Sequence, residues 1–142
     1  EELKKKRDAE QKRMEAENAR IEQERYRKIV ETIEQPVSGY PVGVIALSAI
    51  EKAQLDIKIE LLKANPTLKV VCTGHACDIG GDKVNISIGL KRAEEAKKYI
   101  VSKGIDAERI SVTSKGDKEP LVPNTSEENR RINRRIELKI VE

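Results

Sequence analysis

The sequence predicts an α/β (α+β) sandwich, in which helices pack on a small mixed sheet in the order β-α-β-α-β-α-β, with a charged helix at the N-terminus. Three observations carry this expectation. Composition changes sharply near Gln35-Pro36, where a charged run almost free of Gly and Pro gives way to apolar segments. From residue 41 onward, short runs rich in Val and Ile alternate with longer stretches whose apolar residues recur at helical spacing. Capping and breaking residues stand where one pattern yields to the next. The chain accordingly divides into a charged helical spacer, residues 1–35, and a globular domain, residues 36–142.

Residues 1–35 hold ten acidic and ten basic side chains, and Glu and Lys/Arg recur at helical spacing, as in Glu24 with Lys28. Leu3, Met14, Ile21, Ile29 and Ile33 keep no steady heptad, so a solvated spacer is expected over a long coiled coil. A dimerising or docking helix is the alternative. "VGVIALS" then reads as a strand, and Ser48 can cap a helix over 49–64 with Ile50, Leu55, Ile57, Ile59, Leu61 and Leu62 on its apolar side. "ANPTL" ends that helix, because Pro66 cannot continue it. "LKVVCTG" reads as a buried strand.

Asp82 can cap a helix over 83–103 with the stripe Ile86, Leu90, Ala93 and Ile100, stopped by Gly104. "RISVTSKG" is a strand, Thr125 to Glu128 has capping-box spacing for a short helix, and "RRIELKIVE" alternates Ile136, Leu138 and Ile140 as a half-buried strand.

Apolar residues are 37% of the chain and charged residues another 37%, with no Phe or Trp, so the core must be Ile, Leu, Val and Ala. A net charge of +3, from 28 basic and 25 acidic residues, lacks the basic footprint of a nucleic-acid binder, as does an aromatic content of three Tyr. No apolar run reaches the ~18 residues that span a bilayer. The opening "EELKKKRDAE" reads as the start of an excised fragment, so any membrane association is expected only through parts outside it.

The sharpest local feature is Cys72 followed by "TGHACDIGG": two cysteines, the only histidine and an aspartate within seven positions. Cys72, His75, Cys77 and Asp78 are competent metal ligands. A structural zinc site, however, usually takes four Cys/His ligands from paired elements, and there is no second cluster. The spacing is neither C-x-x-C nor C-x-x-C-H. The cysteines are therefore expected to be buried and chemically incidental, with no metal and no cofactor. Asp78, in a Gly-flanked loop between strand and helix, can be aimed at a ligand. Asn85 and Arg92 lie seven apart on the following helix, on nearly one azimuth, off the Ile86/Leu90/Ala93 stripe and beside Gly89 and Ala96. That face is expected to be open to approach. Asp78 and Arg92 can together hold a zwitterion, carboxylate to ammonium and guanidinium to carboxylate. The same two residues also fit an ordinary salt bridge.

"GHACDIGGDKVNISIGLKRAEEAKKYIVSKGIDAERISVTSKGDKEPLVPN" followed by "NRRINRRIEL" resembles the OmpA-like peptidoglycan-binding domain. The resemblance covers roughly residues 41–142, with several blocks in order and spacing. Gly74-His75 match the family's GH, Gly80 its loop glycine, Asn85 its helix-start Asn, Arg92-Ala93 its RA pair, and Asn133 to Glu137 its terminal signature. It implies that Arg92 binds the carboxylate of diaminopimelate in a peptidoglycan stem peptide, and that the loop acid contacts the same residue. The family's "TD" falls on Ala76-Cys77, with the acid one residue later at Asp78. Re-routing of the loop, absorbed by Gly80 and Gly81, is the expectation, and weakened or altered binding is the other outcome. The first strand lacks the family's usual Phe-Asp. Arg135 and Asn133 are expected mainly to buttress the fold near the ligand.

The resemblance implies a non-enzymatic domain that anchors the outer membrane or an envelope complex to the cell wall of a Gram-negative bacterium. The ligand-binding residues would be Asp78, Arg92, Asn85, Cys77 and Arg135, the compartment the periplasm and the partner peptidoglycan; a dimerising helix over 1–35, the alternative to a spacer, would make the assembly a homodimer. An interaction or oligomerisation module that has lost wall binding is the alternative. Nothing supports an enzyme, because the single His has no acid-base partner beside a nucleophile.

Overall fold

A computed structural model of the chain describes residues 1–141 of the 142. They form two compact units, Glu1–Thr32 and the residues from Ile33 onward. The first unit is most of α1 (Glu2–Glu34), which has no Gly or Pro to interrupt it. Ion pairs one turn apart line its exposed surface: Glu10–Arg13, Glu17–Arg20, Glu22–Arg25, and Arg27 between Glu24 and Glu31. Glu24 therefore takes Arg27, not Lys28. Such a ladder keeps a helix folded in water where it has no apolar face to bury.

The second unit runs β1 (Val37–Ser38), α2 (Ala49–Ala64), β2 (Lys69–His75), α3 (Asp82–Ser102), a 3-10 turn (Ala107–Arg109), β3 (Ile110–Gly116), α4 (Glu127–Asn133) and β4 (Arg135–Val141). The sheet order is β1-β4-β2-β3, with β2 parallel to β3 and β4 antiparallel to both β1 and β2. This is the mixed sheet and the alternation the sequence predicts. Parallel neighbours need a crossover, and α3 supplies it, lying against β2 and β3. Val70, Cys72, Ile136 and Leu138 fill the middle of the sheet, and Leu55, Ile59 and Leu62 are the buried side of α2. Ile50 and Ile57, expected on that side, face solvent.

Four boundaries differ from the expectation, each for a local reason. "VGVIALS" is a loop, because Gly43 takes φ +70 and breaks the extended run. The first strand is Val37–Ser38, paired with Ile136 and Arg135. Asp82 is the first helical residue, not the cap; Gly81 holds the cap position and Asp82 reaches Lys118 at 2.9 Å. In α4 the cap is Ser126, whose Oγ accepts from Asn129 N at 3.0 Å, so Thr125 lies outside. In α3 the buried face is Asn85, Gly89, Arg92, Ala93, Ala96 and Ile100, while Ile86 is exposed. The start of α2 is as expected: Ser48 caps it, and Glu51 reaches back to the Ser48 amide at 2.8 Å to close a capping box.

The last residues of α1 belong to this second unit. Lys58 Nζ donates to the carbonyls of Ile33 (2.9 Å) and Gln35 (2.7 Å), taking acceptors that a helix end leaves open. Glu34 Oε2 accepts from Ile140 N at 3.0 Å, on the edge of β4 that β1 does not reach.

Candidate functional site

The site begins with two glycines. A Cβ on Gly74 would sit 1.6 Å from the Gly89 carbonyl oxygen, and one on Gly89 would sit 2.3 Å from Ser114 Oγ. α3 therefore rests backbone to backbone on the end of β2. That contact explains why the Asn85/Gly89/Arg92 face, expected to be open, is the buried one. It also brings Arg92 within 2.9 Å (Nη1) of the His75 carbonyl. Arg92 Nε donates to Val44 O at 2.8 Å and Nη2 to Pro41 O at 3.0 Å, while the guanidinium stacks 4.7 Å from the Tyr40 ring centroid. Arg92 is 0% exposed. Burial pulls its pKa down to about 10, so it stays cationic at neutral pH.

The loop after β2 carries two adjacent residues to two arginines. Cys77 is buried, and its Sγ accepts from Arg134 Nη1 at 3.4 Å; Asp78 is exposed, and its Oδ1 accepts from Arg130 Nε at 2.9 Å. Arg130 and Arg134 are four apart, so the doubled "NRR" puts both on one side of the last helical turn. Arg134 is also gripped by Glu127 at 2.7 Å, and this hydrogen bond holds the Glu127 carboxyl below its usual range. Asp78 therefore pairs with Arg130, and Arg92 is turned away to backbone carbonyls. Asn85 Nδ2 lies 3.4 Å from Gly80 O, and its buried Oδ1 has no partner among the described residues. Arg135 is locked by Glu137 at 2.6 Å and donates to Asn133 O and Glu119 O. Of the five residues singled out from sequence, only Asp78 presents its polar atoms to solvent.

His75 is buried with both ring nitrogens unpartnered among the described residues. Burial, and after it the charge of Arg135, lower its pKa to about 4 from an ordinary 6.5. Between those values the unfolded chain holds a proton that the native chain excludes. The stability this group contributes is complete above about pH 6.5 and is lost as pH falls toward 4, by about 2–3 kcal/mol. Urea midpoints at pH 7 and 4.5 check this: the drop seen for wild type should shrink in His75→Gln.

Burial pushes the Cys72 thiol up to about 12, and both cysteines are free. Among the described residues no group of three or more His, Cys, Asp and Glu is placed to hold a metal. What the surface offers is a carboxylate and a guanidinium side by side, chemistry suited to recognition. Arg130 and Arg134 belong to the "NRRINRR" run, which by sequence fits a solvated basic face with Arg134 in the terminal signature; their pairing with the loop after β2 is not legible there, and the doubled "NRR" at i,i+4 is the available signal.

A sequence profile described as the OmpA family matches residues 40–134. The chain is 39% identical over 72 residues to outer membrane protein A of Bordetella avium, covering 51% of this chain and 37% of that protein. It is 36% identical over 84 residues to the peptidoglycan-associated lipoprotein of Pasteurella multocida, covering 59% of this chain and 56% of the relative. The match thus spans little more than half of one curated relative and under two fifths of the other. Among solved structures, the peptidoglycan-associated lipoprotein from Burkholderia pseudomallei superposes with a TM-score of 0.71 at 20% identity, over 75% of this chain and 91% of that one. At that identity the likeness is one of fold.

Proposed function

We propose, from the premise that the chain belongs to the OmpA family, that it binds peptidoglycan without catalysis and anchors an envelope complex or the outer membrane to the wall, in the periplasm. The relatives named for outer-membrane and peptidoglycan association support the compartment and the polymer. The observation that carries the reading is the exposed Asp78 carboxylate, on the loop between β2 and α3, set against the Arg130 guanidinium of α4.

The proposed ligand group is the diaminopimelate of the stem peptide. Asp78 takes its ammonium. Arg92, beneath the loop, reaches its carboxylate by exchanging the Pro41 and Val44 carbonyls for ligand oxygens. Asn85 contributes its unpartnered Oδ1, and Cys77 and Arg135 fix the loop and the strand end around it. Residues 1–35 act as the spacer, with a homodimer as the assembly. A Lys-type stem peptide lacks the side-chain carboxylate and should bind several-fold more weakly or worse, because Arg92 then keeps its carbonyls and adds nothing to binding.

The test is calorimetric titration of a meso-diaminopimelate stem tripeptide, with pull-down by purified sacculi. Wild type should saturate, and Asp78→Asn should lose tenfold or more in affinity. Failure of wild type in both assays would favour the second reading, an interaction or oligomerisation module that has lost wall binding. One observation supports that reading: three carbonyls already occupy Arg92.

A further inference from the structure

We infer that Arg130 is the cation that first meets the ligand's carboxylate, and that Asp78 and Arg130 together form a polar clamp for an amino-acid head group. The inference rests on the wall-binding reading above and adds to it a residue that determines specificity.

Four guanidinium groups surround the loop, but Arg92, Arg134 and Arg135 are buried. Only Arg130 is open: its side chain is 30% exposed, and that of Asp78 is 42% exposed. A guanidinium has five N–H donors, and Arg130 commits two of them, Nε to Asp78 and one on Nη2 to Asn124 O at 3.2 Å. Three remain, both of those on Nη1 among them.

The platform under Arg130 is braced. Asn133 Oδ1 accepts from the amides of Leu121 and Val122, and its Nδ2 donates to Val122 O and Asn124 Oδ1. Asn124, which Arg130 leans on, is therefore itself held, and the guanidinium keeps its place if Asp78 lets go.

The spacing suits one kind of ligand. An amino-acid head carries ammonium and carboxylate on a single carbon, so its two charges lie about a contact distance apart. Asp78 Oδ1 and Arg130 Nε lie 2.9 Å apart. In the free protein the two groups neutralise each other. A zwitterion presents its ammonium to Asp78 and its carboxylate to Arg130, so one ion pair becomes two and no charge is stranded. Arg-to-carboxylate geometry also fixes orientation, which a lysine at this place would not do.

The test uses the whole chain and two stem tripeptides, one with meso-diaminopimelate and one with lysine, titrated into wild type, Arg130→Gln and the swapped pair Asp78→Arg with Arg130→Asp. Arg130→Gln should weaken the diaminopimelate peptide tenfold or more and level the two peptides. The swapped pair keeps the ion pair but reverses its polarity, and should not restore binding. Circular-dichroism melts should stay close to wild type, because an exposed pair contributes little stability. If Arg130→Gln keeps the wild-type preference, or the swapped pair binds as wild type does, the pair is only a brace between loop and helix and the inference falls while wall binding stands. If wild type binds neither peptide nor sacculi, both fall.

Discussion

Gly74→Ala is expected to leave the second unit unable to reach its native packing. The added carbon would sit 1.6 Å from the Gly89 carbonyl oxygen and 2.4 Å from its carbon, so the obstacle is backbone, which no side-chain rotation relieves. Ordinary overpacking in a core costs about 1–3 kcal/mol. Here α3 would have to lift off β2, so the loss should exceed that range and show as a collapsed melting transition. The reason is space, since Gly74 has no positive φ. Gly89→Ala should behave alike for the same reason from the other side: its Cβ would meet the Gly74 carbonyl oxygen at 2.7 Å. A soluble, cooperatively melting Gly74→Ala protein with near wild-type stability would show that α3 and β2 can separate freely.

Arg92→Ala should destabilise the second unit by about 3–5 kcal/mol, in line with leaving three backbone acceptors unpaired at about 1–3 kcal/mol each and a void beneath the loop. Its guanidinium gathers the carbonyls of Pro41, Val44 and His75 from separate parts of the chain, and without it those acceptors lose their donor. Urea denaturation measures the loss, and hydrogen exchange should show the amides of residues 41–48 opening first. Arg92→Lys should recover little, because a single ammonium cannot match the planar fork that reaches three acceptors. Binding data on Arg92→Ala therefore need a folding control, whereas Asp78 and Arg130, both at the surface, can be read directly.

The elements legible in the sequence were those whose burial follows a simple period. β2 is a continuous apolar run, β4 alternates, and α2 is announced by Ser48. The segment 42–48 was misread because its apolar residues suggest a strand, while its backbone serves Arg92 through Gly43's left-handed turn. The true first strand, Val37–Ser38, is too short to leave a pattern. In α3 the periodic stripe pointed to Ile86, yet the buried side is built on Gly89, Ala96 and an arginine, because close backbone approach selects small residues rather than large apolar ones. Asp78 stood out as a polar residue in a Gly-flanked loop. Its partner did not, because Arg130 lies 52 positions away and only the packing of α4 brings it there.

The Glu34 carboxylate bears on how the fold avoids self-association. β1 covers only Arg135 and Ile136 of β4, so the outer rim of the strand beyond them is open to another chain's backbone. Glu34 sits on that rim, accepts the Ile140 amide as a neighbouring strand would, and adds a negative charge beside Lys139. An incoming strand would have to displace a charged side chain before it could pair. At Ile140 the rim is blunted against strand addition without a further strand, by one residue contributed from the end of a helix.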